Sequence, residues 1–409
     1  MRHAPSTIRR AIARRALLLA ALAVLAAPAL ASAQGIPARL ADSTFWRMMN
    51  EFSEPWGTFR SENFVSNETS LQYVIPQLTK RIAPGGVYLG VAPDQNFTYI
   101  AALRPSIAFI VDIRHQNAMQ HLMYKALFET SKDRAEFLAK LFARAPLEGV
   151  DTASTVTALF DALARQPPDS ARYRANLRAI ISRLTDVHRF ALSDSERVSL
   201  GCVYGAFFAQ GPDLTYNYAS ECRNTYGYNV GVTFGPGRGG GMSRFGFRMP
   251  TYHGMLTETD SAGVNRSYLG SEDRFRAIKA MQERNLIVPL TGNFAGPRAL
   301  RTVGDWVRAR GATVTTFYVS NVEQYLFQQE DEAPRFYENV AALPIDSTST
   351  FVRSFVGGRF LSADTLLMLK PQSPNGRSLQ LISSIAETLR AHREGRLRSW
   401  MELIASSQQ

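Results

Sequence analysis

The chain has 409 residues, 45% of them hydrophobic, with 46 Lys and Arg against 35 Asp and Glu and a formal net charge of +11. That length is ample for a large core, in one elaborated domain or two. The basic residues are scattered rather than blocked, which argues against a nucleic-acid partner and for a solvated basic surface.

Residues 1–33 read as a cleavable export signal. Arg2, Arg9, Arg10, Arg14 and Arg15 precede an apolar run from Ala16 to about Ala27, and Ala31-Ser32-Ala33 offers small residues for cleavage before Gln34. The run is too short for a spanning helix, which needs about 20 residues. No later apolar stretch is long enough either, so no stable membrane span is expected after cleavage. The expected location is the periplasm or the exterior. Removing the signal leaves 376 residues and, with five arginines gone, a net charge of +6. Two cysteines remain, Cys202 and Cys222. In an oxidising compartment they are expected to pair, closing a loop of about 20 residues at about 3 kcal/mol in the chain-entropy picture.

Residues 34–84 form a helical lead-in. Thr44 to Phe52 is a short amphipathic helix, Ser61 to Glu68 is dense in hydrogen-bonding side chains, and Leu71 to Arg81 is helical again until Pro84-Gly85-Gly86. Residues 85–130 form the first half of a Rossmann core. Val87 to Val91 is a buried parallel strand, Ala92 to Asn96 a polar turn, and Phe97 to Leu103 a helix. Ile107 to Val111 is a second strand closing on Asp112, and Asn117 to Phe128 is an amphipathic helix. The sequence of elements is a βαβ unit with a right-handed crossover.

Residues 131–197 are a helical insertion, and residues 198–270, rich in Gly and Tyr, a loop-rich insertion. Residues 271–409 resume the Rossmann pattern. Ser271 caps a helix to Arg284, Leu286 to Leu290 is a strand, and Pro297 opens a helix that Gly311 ends. Thr313 to Val319 is a strand, Phe351 to Val356 a late strand, and Ser378 to Arg390 a last helix. The fold class is therefore α/β, a Rossmann-like, doubly wound and mostly parallel sheet.

In such sheets ligands bind beyond the carboxyl ends of the strands. Those ends carry Gly90 with Asp94, Gln95 and Asn96, then Asp112 with Arg114, then Gly292 with Asn293. The 22 residues from Gly90 to Asp112 match the usual gap between a strand-end glycine and the acid that takes a ribose hydroxyl pair. The first turn lacks G-x-G-x-x-G, and Asp94 would repel a pyrophosphate. The turn therefore disfavours dinucleotides and tolerates a cationic or phosphate-free adenosyl ligand. Glu62, Asn63 and Asn67, with Glu68, are placed over the mouth of this pocket, and Asn321 and Glu323 beside it at the end of the late strand. His115 and His121 lie six residues apart, on different helix faces, and no metal site is expected. Gly235 to Gly240 matches G-x-G-x-x-G only formally, since Pro236 removes a donor, and reads as a loop.

The order of strand, acid-bearing turn, strand ending in acid and late strand-helix-strand pair resembles class I S-adenosylmethionine-dependent methyltransferases. The strings Tyr88 to Tyr99, Phe109 to Arg114, Asn285 to Leu290, Asn293 to Pro297 and Phe317 to Glu323 are similar to those of a family of uncharacterised bacterial proteins with a methyltransferase-like core. The resemblance covers roughly Asn50 to Val356 and implies S-adenosylmethionine as a cofactor, with Asp112 on its ribose. Two other readings stand beside it. One is a non-catalytic exported protein that binds a small ligand or an envelope partner in the same cleft, and the other a hydrolase using Glu62, Asp94 and Asp112.

Overall fold

The computed structural model describes residues 35–59, 61–216, 218, 249–356 and 378–407. The segment expected to be an export signal, Cys222 and the Gly235 to Gly240 string lie outside the described residues. Among the described residues, 15 α-helices flank one six-stranded sheet in the order β3-β2-β1-β4-β5-β6. The strands are β1 (Val87–Gly90), β2 (Ile107–Asp112), β3 (Ile287–Thr291), β4 (Val314–Ser320), β5 (Thr350–Val356) and β6 (Ser378–Ser384). The first five are parallel and β6 is antiparallel to β5. Every residue of β1, β2 and β3 is buried, as a parallel sheet covered on both faces requires. No described helix is long and apolar enough to cross a membrane.

The lead-in contributes α1 (Asp42–Glu51) and α2 (Ile75–Arg81). Phe45, Met48 and Met49 of α1 join the core, and the chain after it covers the edge of β3. There Glu54 N–H donates to the Thr291 carbonyl (2.8 Å), and Thr291 N–H to Ser53 Oγ (2.9 Å). An exposed strand edge is thereby closed.

α3 (Gln95–Leu103) follows β1 and α4 (His115–Thr130) follows β2. The insertion supplies α5 (Arg134–Leu141), α6 (Val156–Ala164), α7 (Ser170–Ser182) and α8 (Asp194–Gln210). α8 crosses the boundary expected at residue 197, so residues 198–210 are helix rather than loop. The cause is a full capping box: Ser193 accepts from Glu196 N–H while the Glu196 carboxylate takes Ser193 N–H. Cys202 lies buried in α8.

After α9 (Tyr252–Thr257), α10 (Glu272–Glu283) starts at Ser271, whose hydroxyl accepts from Arg274 N–H. α11 (Ala299–Arg308) follows β3; α12 (Val322–Leu326) and α13 (Glu332–Ala341) follow β4. The expected helix over Ser378 to Arg390 divides in two. Ser378–Ser384 pairs along its whole length with β5, and α14 (Ile385–Arg393) begins only where Ser384 Oγ accepts from Glu387 N–H. The cap signal sits six residues further on than expected, and the alternation of Leu379 and Leu381 belongs to a strand. α15 (Trp400–Ser406) closes the described chain over a small second core with Phe355, Leu379 and Leu381.

Candidate functional site

The chain runs outward through β1, β2 and β3 and returns to β4 beside β1, so the strand order reverses between β1 and β4. Loops leaving neighbouring strands on opposite sides of such a point part and leave a crevice. Here a cavity of about 360 Å³ opens there, within the range of small-ligand sites. All four strands contribute: Val91, Ala92 and Gln95 after β1, Val111 to Arg114 at the end of β2, Gly292 to Phe294 after β3, and Ser320 to Val322 after β4. The lead-in roofs it with Thr58, Phe59, Asn63, Ser66, Asn67 and Glu68.

Three lining residues hold left-handed backbone without being glycine: Asn63 (φ 50°), Ala92 (φ 68°) and Ser320 (φ 53°). Ala92 and Ser320 stand at the ends of the two strands that flank the switch point. Such conformations persist only where the surroundings impose them, and they gather at binding sites.

The turn after β1 is held from within. Asn96 Nδ2 donates to the carbonyls of Val91 (2.8 Å), Ala92 (3.1 Å) and Pro93 (2.8 Å), and Asn96 Oδ1 accepts from the Tyr88 hydroxyl (2.9 Å). This explains Gly90. A Cβ there would lie 2.0 Å from Asn96 Oδ1, so glycine makes room for the asparagine rather than for a ligand. Gly90 and Asn96, both expected on the ligand, shape the loop from behind.

Asp94 turns away. It is 2% exposed, does not line the cavity, and lies 3.5 Å from the Tyr268 hydroxyl, which meets the Tyr252 hydroxyl at 2.6 Å. Burial raises its pKa to about 7, against weaker lowering by its own backbone N–H and by Tyr268. The expectation that Asp94 and Asp112 share one crevice is thus not met. The aromatic character of residues 252–268 gave no sign in the sequence that it would pack on this turn.

Asp112 does face the cavity, in company with Arg114. Arg114 Nε donates to Oδ1 (3.0 Å) and Nη2 to Oδ2 (2.8 Å), while Arg114 N–H also reaches Oδ1 (2.9 Å). Arg114 Nη1 donates to the Glu62 carbonyl, which ties the roof to the end of β2. Glu62 contributes that carbonyl and does not line the cavity. Glu62, Asp94 and Asp112 therefore do not converge as a hydrolase would need.

Gln95, Asn63, Asn67, Asn293 and Asn321 line the cavity. Gln95 Nε2 donates to the Tyr318 hydroxyl (3.1 Å), while its Oε1 is buried without a partner. Glu323 points elsewhere. Its carboxylate is buried against Arg353 and accepts from the Tyr337 hydroxyl (2.8 Å), a structural ion pair under β5.

Two further carboxylates line the site: Glu68, which the sequence placed over its mouth, and Glu332, which the sequence did not single out. Glu68, 2% exposed, accepts from the Tyr318 hydroxyl (2.6 Å) and from Ser320 Oγ. Burial raises its pKa, only partly countered by Ser320, Tyr318, Gln380 and Ser354. Its signal was the polar run Ser61 to Glu68. Glu332, at the start of α13, accepts from Asn293 Nδ2 (3.2 Å), and no local pattern marks it.

The histidines near this region are structural. His121 Nε2 bonds the Ala92 carbonyl (3.0 Å), and burial lowers its pKa to about 4. His115 bridges Thr291 Oγ1 (3.0 Å) and Glu196 Oε1 (3.0 Å) outside the cavity. Among the described residues no group of three or more His, Cys, Asp or Glu is arranged to hold a metal ion.

Glu54 occupies another strand end. Its carboxylate accepts Arg298 N–H (2.7 Å), Ala299 N–H (2.7 Å) and Asn293 N–H (3.3 Å), which fills the amino end of α11. A Cβ on Gly296 would meet Glu54 Oε2 at 2.0 Å, so the loop after β3 is glycine to admit that carboxylate. The fixed partial positive charge of the helix start is already neutralised by the protein itself.

A family model described as a domain of unknown function (DUF7790) matches residues 63–198 and 242–409. Comparison with curated proteins returns no match.

Proposed function

The chain belongs to the DUF7790 family; from that premise, which brings no activity with it, we propose that it is an exported protein whose switch-point cavity binds a phosphate-free adenosyl or nucleoside ligand, S-adenosylmethionine being the first candidate. The observation that carries this reading is the position of Asp112: a carboxylate at the end of the strand next to β1, facing a cavity of about 360 Å³. A carboxylate there accepts from two vicinal ribose hydroxyls. Arg114 holds it in one orientation, and the orphan Gln95 Oε1 offers an acceptor for a ligand N–H. Phosphate is disfavoured, because Glu54 already fills the amino end of α11 and no glycine-rich loop follows β1.

Bound S-adenosylmethionine would supply an electrophilic methyl group. The chain's own contribution would be to hold it by Asp112 and Gln95 and to position an acceptor under the roof of Thr58, Phe59, Asn63, Ser66, Asn67 and Glu68. Titration calorimetry of the chain from Gln34 onward with S-adenosylmethionine and S-adenosylhomocysteine tests the reading. Binding is expected for both, and Asp112→Asn is expected to weaken it at least tenfold, about 1.4 kcal/mol. Absence of heat and of any thermal shift with either compound would end it.

A second reading, binding without catalysis, is favoured by the lining itself. Among the described residues it includes no His, Cys or Lys, and its arginine, Arg114, is engaged with Asp112. Mass spectrometry of the recovered S-adenosylmethionine after long incubation with envelope extract separates the two, since only a methyltransferase converts it to S-adenosylhomocysteine.

Export and the Cys202–Cys222 disulfide belong to the same proposal. Intact mass of protein recovered from the cell envelope is expected to lack residues 1–33 and to be two hydrogens lighter than the dithiol. Alkylation of both thiols without prior reduction would refute the bridge.

A further inference from the structure

The charges of the described residues that line the cavity do not balance. Among the described residues Glu68, Asp112 and Glu332 line it, against one cation, Arg114. Arg114 is committed to Asp112 by two side-chain hydrogen bonds and to the Glu62 carbonyl by a third. Glu332 has Arg335 only at 4.0 Å, on an exposed side chain. Glu68 is held by neutral donors, the hydroxyls of Tyr318 and Ser320 with Gln380 and Ser354 beside them, and no basic side chain of the described residues is among its hydrogen-bond and ion-pair partners.

A buried carboxylate without a cation is costly, because neutral donors replace only part of the lost hydration. Its placement on the wall of a cavity, rather than inside the core, gives a ligand the means to supply the missing charge. The rest of the wall suits a diffuse cation. Phe59 and Tyr325 line the same cavity edge to face, with ring centroids 5.3 Å apart and planes at 84°. Aromatic faces attract cations that carry their charge on methyl or methylene groups, and such cations shed water easily. A phosphate or carboxylate ligand would meet repulsion from Glu68 and Glu332 at once.

We propose that this cavity takes a ligand bearing an onium cation, sulfonium or quaternary ammonium, with Glu68 as its counter-charge and Phe59 and Tyr325 as its aromatic wall. The inference rests on the cavity being the ligand site, as in the proposed function, but not on the adenosyl group. Burial raises the pKa of Glu68, and a cation beside it would draw that pKa back down.

Two matched pairs of probes test it by calorimetry on the chain from Gln34 onward. S-adenosylmethionine and S-adenosylhomocysteine differ in the charge on sulfur; choline and 3,3-dimethylbutanol differ in a quaternary nitrogen against a carbon. The onium member of at least one pair is expected to bind tenfold tighter or more, and Glu68→Gln is expected to reduce that ratio toward one while leaving the neutral member unchanged. Preference confined to the choline pair, with no adenosyl compound bound, would uphold the charge inference and overturn the adenosyl reading. Ratios near one in both pairs, no binding by either onium, or an unchanged ratio in Glu68→Gln would overturn the inference. Should Glu68→Gln fail to fold, the wild-type ratios together with Phe59→Leu decide it. Loss of the onium preference in Phe59→Leu supports the inference, and its retention overturns the aromatic wall.

Discussion

Asp94→Asn is expected to stabilise the protein at neutral pH and to flatten the pH dependence of its stability. The Asp94 carboxyl has an ordinary pKa of 3.8 and is raised to about 7 in the fold, chiefly by burial. A carboxylic acid whose pKa is raised by folding stabilises while protonated. Its contribution is complete below the ordinary value and is lost as pH rises through the folded value. The window is therefore about pH 4 to pH 7, and the loss across it is about 4 kcal/mol. Asparagine keeps the shape and the Tyr268 contact but has no charge to bury. His121, with its pKa lowered to about 4 by burial, works in the opposite sense, stabilising above about pH 6.5 and ceasing to do so as pH falls toward 4. The difference between variant and wild type isolates Asp94 from it. Urea unfolding at several pH values from about 4 to 8 measures the difference; a variant that tracks wild type throughout would show that the tyrosine cluster does not desolvate the carboxylate.

Arg353→Leu is the second large effect, and it falls on stability rather than on ligand binding. Arg353 and Glu323 are almost wholly inaccessible, with side-chain exposures of 0% and 1%. The guanidinium also bonds Ser383 Oγ, joining β5 to β6. Removing the cation leaves Glu323 buried with the Tyr337 hydroxyl as its remaining donor. Breaking a buried pair from one side costs about 3 to 5 kcal/mol. Replacing both members together with apolar residues is expected to cost much less, since no charge is then stranded. A double-variant cycle in urea measures the coupling. If Arg353→Leu is neutral while Glu323→Gln removes ligand binding, the assignment of Glu323 to the core is wrong and its placement at the pocket rim is restored.

The sheet was legible because parallel strands buried on both faces leave continuous apolar strings, and Val87 to Gly90, Ile107 to Asp112 and Ile287 to Thr291 are such strings. The helix misread at Ser378 shows the limit. Leu379, Ile382, Ile385 and Leu389 are spaced for a helix, yet the first of them pair with β5, a partner far from them in local pattern. For the site, strand ends gave positions but not directions. Asp112 and Gln95 face the cavity, whereas Asp94, one residue before Gln95, faces Tyr268. Which way a turn residue points depends on what packs behind it, and the tyrosines that decide this arrive 158 and 174 residues later, at Tyr252 and Tyr268. Glu323 lay on the same face as Asn321 by count, but Arg353 on the neighbouring strand drew its carboxylate inward.

Glu54 bears on how the protein should be cut for study. The family match begins at residue 63, nine positions after the side chain that completes the loop beyond β3. A fragment started at the match would leave three backbone N–H groups of that loop and helix without their acceptor, strip the cover from the β3 edge, and open the hollow that Gly296 keeps for a carboxylate. Such a fragment should aggregate along that edge, or scavenge sulfate and phosphate into the empty socket. Anion binding by it would be a property of the cut and not of the protein.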